Sequence, residues 1–325
     1  LEQTRKWRWG VNRWIVLLFI LLNIYLAGVY PPIRPHIQVA PEKLGEALFN
    51  LPGIGPFYLT NTLVASFLVM VLLVVMAFFI NRAIKSGELV PKGLAGAIEA
   101  LVEALYNLTE QTAGAKWAKS IFPFFATIVL VVLMSNWMEL IPGVDSIGLL
   151  HHSEEGYPIQ EIVAGRVAAI VKSGEGHEGG YGVVPFVRVA STDLNFTVTL
   201  AIISVLMTQV IGLRAQGIRY FSKFLNFTTL FTKPFFGAMD LVVGLLELIS
   251  ELAKLLSFSF RLFGVIFAGS VLLFVIGSLL PVFLQAPLLL FEFFMGLIQA
   301  LVFGMLTMVF MAQATKGHGE GEHHE

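Results

Sequence analysis

Residues 251–270 read ELAKLLSFSFRLFGVIFAGS, and the arginine in the middle of this run decides how the chain is read. Downstream of Arg261 the next formal charge is Glu292, and the positions one helical turn away are Ser257, Phe258, Gly264 and Val265, none of them acidic. A guanidinium without a local partner in an apolar segment is costly. Such groups face a protein interior, water or a partner, and they mark function.

The surrounding chain is that of a membrane protein. Of its 325 residues 56% are hydrophobic and 13% charged, with mean hydropathy +0.79; soluble domains carry about 25% charged residues. Uncharged windows of spanning length are Trp14–Tyr30, Leu59–Asn81, Ser120–Met138, Leu194–Leu213, Leu262–Phe291 and Phe293–Thr315. The basic residues orient them. With the N-terminus inside, inner segments hold 14 of the 21 Lys+Arg, outer segments hold 5, and Lys254 and Arg261 lie within a span. Six crossings with both termini inside follow. RKWRWGVNRW before an apolar run has the outline of a signal peptide, but we read it as a retained first crossing. The absence of cysteine excludes a disulfide framework, thiol catalysis and cysteine-bound metals, and a net charge of −1 argues against a nucleic-acid partner.

Five stretches follow along the chain. Residues 1–58 hold the first helix and a proline-rich outer loop, YPPIRPHIQVAPEK. Residues 59–141 form a membrane hairpin with an inner surface helix. In that helix Leu94, Ile98, Leu101, Leu105 and Leu108 make one apolar stripe, and Glu99, Glu103 and Glu110 lie away from it. Lipid-bound surface helices are usually basic, so the acidic face suits a protein neighbour at least as well as headgroups. Residues 142–191 read as a solvated outer loop; His151, His152 and His177 lack metal-ligand spacing. Residues 192–315 form the core, and 316–325, ending GHGEGEHHE, a disordered tail.

Pro234 and Pro281 bracket a proline-free run over 235–280. As one helix it is about 69 Å long against a hydrocarbon core of about 30 Å, so it leans roughly 60° from the normal, far beyond the usual tilt. The last helix, about 288–315, leans too. The fold class expected is all-α, with about six membrane helices, the last two long, strongly tilted and antiparallel.

Polar residues gather on these helices. Asp240, Glu247, Glu251, Lys254 and Arg261 share one face, and Lys254 is placed to pair with Glu251 or Glu247. Ser257, Gly264 and Ala268 surround Arg261 with small side chains, which let another helix approach closely. On the last helix Glu292, Gly296 and Gln299 share a face. Glu292, a carboxyl in an apolar run, is a candidate proton relay, with a side chain reaching for the outer boundary as the plain alternative. Asn136 and Glu139 end the third crossing. Asp193 and Asn195 open the fourth, where Ser191, Thr192 or Asp193 also suits a helix cap. An outer set (Asn136, Glu139, Asp193, Asn195, Glu292) and an inner set (Asp240, Glu247, Glu251) thus flank Arg261. Two aqueous approaches that do not connect, separated by a cation, is the simplest reading.

LSFSFRLFGVIFAG resembles the signature of subunit a of F-type ATP synthases, S-x-x-x-R-L-F-G-N-x-x-A-G, and PKGLAGAIEALVEAL, SNWMELIP, STDLNFTVTLA and LIQALVFGMLTMVF match in order over roughly 59–315. The resemblance implies a stator subunit of the Fo sector. Arg261 would face a ring of c subunits, Glu247 line an inner half-channel and Gln299 stand beside Arg261, with Asn195, Asn136 and Glu139 toward an outer half-channel. Partners would be the c ring, b-type peripheral stalk subunits, the other synthase subunits and lipid, with no nucleic acid and no cofactor or metal, in a bacterial plasma membrane. The sequence departs from the signature at Val265, where the family has asparagine, at Ser270, often an acid or histidine, and at Glu292, histidine in some members. The outer path would then rest on Glu292, helped by Ser270 and water. No G-x-x-x-x-G-K-[ST] loop is present, so nucleotide chemistry belongs to other subunits. The rival class is a secondary transporter whose midplane arginine binds an anionic substrate; the repeats and broken helices common in such folds are not found. A purely structural anchor leaves the arginine unexplained.

Overall fold

The computed structural model describes residues 9–29, 39–53, 55–85, 94–141, 143–163, 167–170, 180–217, 220, 234–280 and 284–316. The tail expected over 316–325, apart from Lys316, and His177 lie outside them, as does the side chain of Asp240.

Among the described residues there are six α-helices: α1 (Trp9–Val29), α2 (Asn61–Lys85), α3 (Leu94–Trp137), α4 (Leu194–Gln216), α5 (Pro234–Leu279) and α6 (Gln285–Thr315). Five of them, all but α1, are long and apolar enough to cross a membrane; α1 carries a shorter apolar stretch, Arg13–Leu26. The chain is an all-α integral membrane protein.

Each long helix has a local cause. Helix α5 runs 46 residues because no proline interrupts it; Pro234 occupies its first turn, where a missing N–H costs nothing, and Pro281 lies just beyond its end. At 1.5 Å per residue it is about 69 Å long, so it cannot stand upright in a hydrocarbon core of about 30 Å. Helix α6, with 31 residues, begins at Gln285, and tolerates Pro287 in its first turn for the same reason. Asp193 opens α4, its side chain accepting from the Asn195 N–H.

Two expectations change. The acidic helix over 94–113 and the third crossing are two helices of α3 that meet at a kink at Gly114, whose φ of 74° is a left-handed conformation that glycine adopts at little cost. The stripe of the first helix is packed on the chain itself. Leu105 is buried with Ile121, Phe125, Val129, Ile211, Met308 and Met311, and Leu101 and Leu108 pack against that cluster. Glu99, Glu103 and Glu110 remain exposed.

The stretch 142–191 is more than irregular loop. Strand β3 (Gly148–Tyr157) pairs antiparallel with β6 (Tyr181–Pro185), and β4 (Ile159–Val163) with β5 (Val167–Ile170); before α2, β1 (Phe49–Leu51) pairs with β2 (Gly55–Phe57). Its glycines and charges suggest loop, but Ile159, Ile162, Val163, Val167, Ile170, Val183 and Val184 are β-branched and favour extended backbone.

The core lies where α3, α4, α5 and α6 meet. Ile128, Val132 and Leu133 of α3, Ala201 of α4, Phe258, Leu262 and Ile266 of α5, and Ala300 and Phe303 of α6 form one buried cluster. Glycines set the closest crossings: a Cβ on Gly304 would run into Val129 and the Phe125 ring. Gly304→Val is therefore expected to weaken the α3–α6 contact by about 1–3 kcal/mol, the usual range for overpacking. The check is the midpoint of thermal aggregation in detergent, which should fall below that of the wild type.

Candidate functional site

The ionisable groups are positioned by the antiparallel pairing of α5 and α6. A Cβ on Gly277 would meet the Gln285 amide, and one on Gly269 the Glu292 carboxyl. Further inward Phe258 and Phe303 lie 5.5 Å apart, and the Lys254 ammonium sits 4.8 Å from the centre of the Phe310 ring. These contacts follow one continuous register. It sets Arg261 level with Gln299 and Ala300, two helical turns along α5 from the Gly269–Glu292 contact.

Arg261 is exposed on the surface of the chain, and so are Ser257, Gly264 and Ala268 on the same face. Its recorded hydrogen bond is from Nη2 to the Ser257 hydroxyl at 3.4 Å, one turn away on its own helix. Among the described residues no acid pairs with it; the ion pair of this helix is Lys254 with Glu251, at 2.9 Å. The opposite face of α5 is the packed one, with Phe258, Leu262 and Ile266 buried. Helix α5 therefore turns its cation away from the core onto a ridge of small residues. Gln299, on the facing helix, is buried at 8% exposure.

On the outer side the expected residues divide. Asn136, Glu139, Asp193 and Glu292 are buried, whereas Asn195 is exposed. Asn136 donates from Nδ2 to the Gly296 carbonyl at 3.0 Å, one turn from Glu292, and its Oδ1 is buried without a hydrogen-bond partner. That oxygen is an acceptor held beside the Glu292 face. Trp137 fixes the same crossing, stacking 4.7 Å from Phe293 and donating to its carbonyl at 3.2 Å. Ser270 donates to the Ile266 carbonyl on its own helix.

Asp193 has both oxygens engaged. Oδ1 accepts the α4 cap hydrogen bond from the Asn195 N–H at 2.8 Å, and Oδ2 accepts from the Thr62 hydroxyl at 2.8 Å. Of the three capping candidates, Asp193 is the cap. Neighbouring Asn61 donates from Nδ2 to Glu42 at 3.2 Å and accepts from the Glu42 N–H at 3.3 Å, which ties the segment before α2 to this corner. Thr62 was missed in the sequence because a hydroxyl at the start of an apolar helix carries no signal without its partner 131 positions away.

On the inner side Glu251 is buried and Glu247 half-buried. Tyr220, beyond the end of α4, was also missed. It is 3% exposed, and its phenol is pushed up to about 12 by burial first, then by Glu251 and Glu247. A tyrosine after the last apolar residue of a crossing reads as an interface anchor, and nothing in the sequence ties it to α5.

The fold and these groups define an α-helical membrane protein whose helices α5 and α6 carry ionisable residues on both sides of an arginine that faces away from the core. The chain matches the ATP synthase A chain family over residues 63–312 and belongs to it. It is similar to ATP synthase subunit a 1 of Syntrophotalea carbinolica, with 27% identity over 270 residues, 83% of this chain and 91% of that one. Membership places it in the membrane sector of an ATP synthase, with that enzyme's other subunits as its partners, and it displaces the transporter reading.

Removing the Thr62 hydroxyl leaves a buried carboxylate oxygen without its donor. Thr62→Val is expected to cost about 1–3 kcal/mol. It should appear as earlier thermal inactivation of the assembled complex, and Thr62→Ser should restore most of the loss.

Proposed function

We propose that this chain is the stator half of a rotary ion motor, in which Arg261 meets the carboxylates of a c ring one after another. The observation that carries the reading is the bare ridge of Ser257, Arg261, Gly264 and Ala268, exposed on its own chain and without an acid for the cation among the described residues. A guanidinium at membrane depth needs a counter-charge, and here an adjoining subunit supplies it.

The mechanism follows from charge and burial. A proton enters from the outside through Asn136, Glu139, Asp193 and Asn195 to Glu292, helped by Ser270 and water, and passes to a ring carboxylate. Neutral, that carboxyl can turn into lipid; charged, it could not. After nearly a full turn it reaches the inner track of Glu251, Glu247 and Asp240, loses its proton and is drawn to Arg261. At about 4 Å and an effective dielectric of about 20 the attraction is about 4 kcal/mol before desolvation is subtracted. Arginine suits the position because it stays protonated at any working pH and so cannot pass a proton on. It draws the ring carboxylate into its charged form and blocks a direct leak between the two approaches. Gln299, level with Arg261, softens the pair so that it breaks at each step. The ring, the b-type stalk subunits and the inward placement of both termini belong to this proposal.

Arg261→Ala is expected to abolish ATP synthesis driven by a proton gradient, measured in reconstituted complexes; coupled synthesis in that variant would overturn the mechanism. The chain has no cysteine, so Ala268→Cys introduces a single reporter. It should form a disulfide with a cysteine placed beside the ring carboxylate, whereas a cysteine at Phe303, on the buried side, should not.

A further inference from the structure

We propose that the base of the β3–β6 ribbon is a lipid contact, seated in the headgroup layer of the bilayer on the side where α3 ends and α4 begins. Four large apolar side chains are exposed together there: Ile147 at 67%, Leu149 and Phe186 at 42%, and Leu150 at 37%. Apolar surface gathered in this way marks contact with a partner or a membrane. The depth of the ribbon favours the membrane. Phe186 comes three positions before Val189, and Val189 is buried in one cluster with Ile128, Val132 and Leu133 of the α3 crossing. Three residues span at most about 11 Å. Between them Val187 packs against the cluster of Ala65, Val69 and Met138. On the facing strand the Ile147 carbonyl accepts from the Phe186 N–H at 3.0 Å, which holds it at the same level. The polar layer on each face of a bilayer is about 5–8 Å deep, so chain connectivity keeps the ribbon's base close to it.

The pattern of polarity also favours lipid over a protein neighbour. Successive residues of a strand point to opposite faces, and Leu149 and Leu150 are both exposed. Their partners in register are Val184 and Val183. The base is thus apolar on both faces. One step further along, His151 and His152 are exposed in turn, opposite Gly182 and Tyr181. A ribbon laid against protein is apolar on one face and polar on the other; here the change comes along the strands, from Leu150 to His151. A boundary crossed lengthwise is the one between the edge of a bilayer and water. The contact is apolar and requires no particular headgroup. It steadies the link from the ribbon into the α4 cap at Asp193. It needs only a membrane-embedded chain and is independent of the ring.

The chain has no cysteine, so Leu149→Cys, Phe186→Cys and His152→Cys can each carry a polarity-sensitive thiol probe in the intact complex. The other subunits are freed of reactive thiols, and the complex is held in phosphatidylcholine nanodiscs, where the medium reaches both faces. Phe67→Cys, on the exposed side of α2, gives the lipid-facing reference. Phosphatidylcholine with a nitroxide high on its acyl chain should quench the probes at 149 and 186 several-fold more than the probe at 152, and aqueous iodide should show the reverse order. Probes at 149 and 186 quenched by iodide alone place the ribbon in water, and probes quenched by neither place it under another subunit. Either result overturns the proposal, as does lipid quenching at only one of the two positions. The unsubstituted complex supplies a second reading. A phosphatidylcholine with a carbene-forming group near its headgroup should label the peptides that hold Leu149 and Phe186; labelling confined to the helices overturns the proposal as well.

Discussion

Arg261 carries a charge that its own chain does not neutralise among the described residues. Within an apolar helix, that one constraint organises the structure around it. The guanidinium does not discharge, so the fold has to present it to something, and helix α5 does so by rotation alone. Phe258, Leu262 and Ile266 go into the core, and Ser257, Gly264 and Ala268 stay outside with the cation. Small side chains on the outer ridge let a neighbouring helix come near without a keyed fit. A moving partner requires such a surface and a fixed one does not.

The second constraint is register. The roles proposed for Glu292 and Arg261, two turns apart, require that α5 and α6 cannot slide. Glycine contacts hold them on the outer side, where Gly269 and Gly277 bring the helices close to Glu292 and Gln285. On the inner side Phe258, Phe303 and the Lys254–Phe310 contact do the same work. Helix α3 braces α6 through Gly304 and through the hydrogen bond from Asn136 to Gly296. These anchors are backbone carbonyls, glycines and rings with few rotamers, so the polar groups between them are held by rigid neighbours.

The two approaches proposed above are built differently. The outer one is assembled from far-separated pieces of chain, the start of α2, the end of α3 and the start of α4, joined by short hydrogen bonds at Asp193. The inner one is carried on a single helix, α5. A residue in the outer corner therefore contributes to the fold and to the proposed path together.

The periodicity of the sequence was enough for a good deal of this. Helix faces follow from the local repeat of 3.6 residues, so the ridge of Ser257, Arg261, Gly264 and Ala268 was legible, as were the run bounded by Pro234 and Pro281, the crossings and the family; the burial of Glu251 beside the packed face, apart from the exposed Arg261, was not. Residue type alone marked Arg261 as a group needing a partner. Contacts between distant segments were not legible, because no local pattern encodes which turn of one helix meets which turn of another. Only the tertiary structure decided that Thr62 holds Asp193, that Asn195 is exposed, that Leu101, Leu105 and Leu108 pack on the chain itself, and that Tyr220 is buried against Gly212. Each depends on close packing between elements far apart in sequence, a property of the assembled core and not of any single segment.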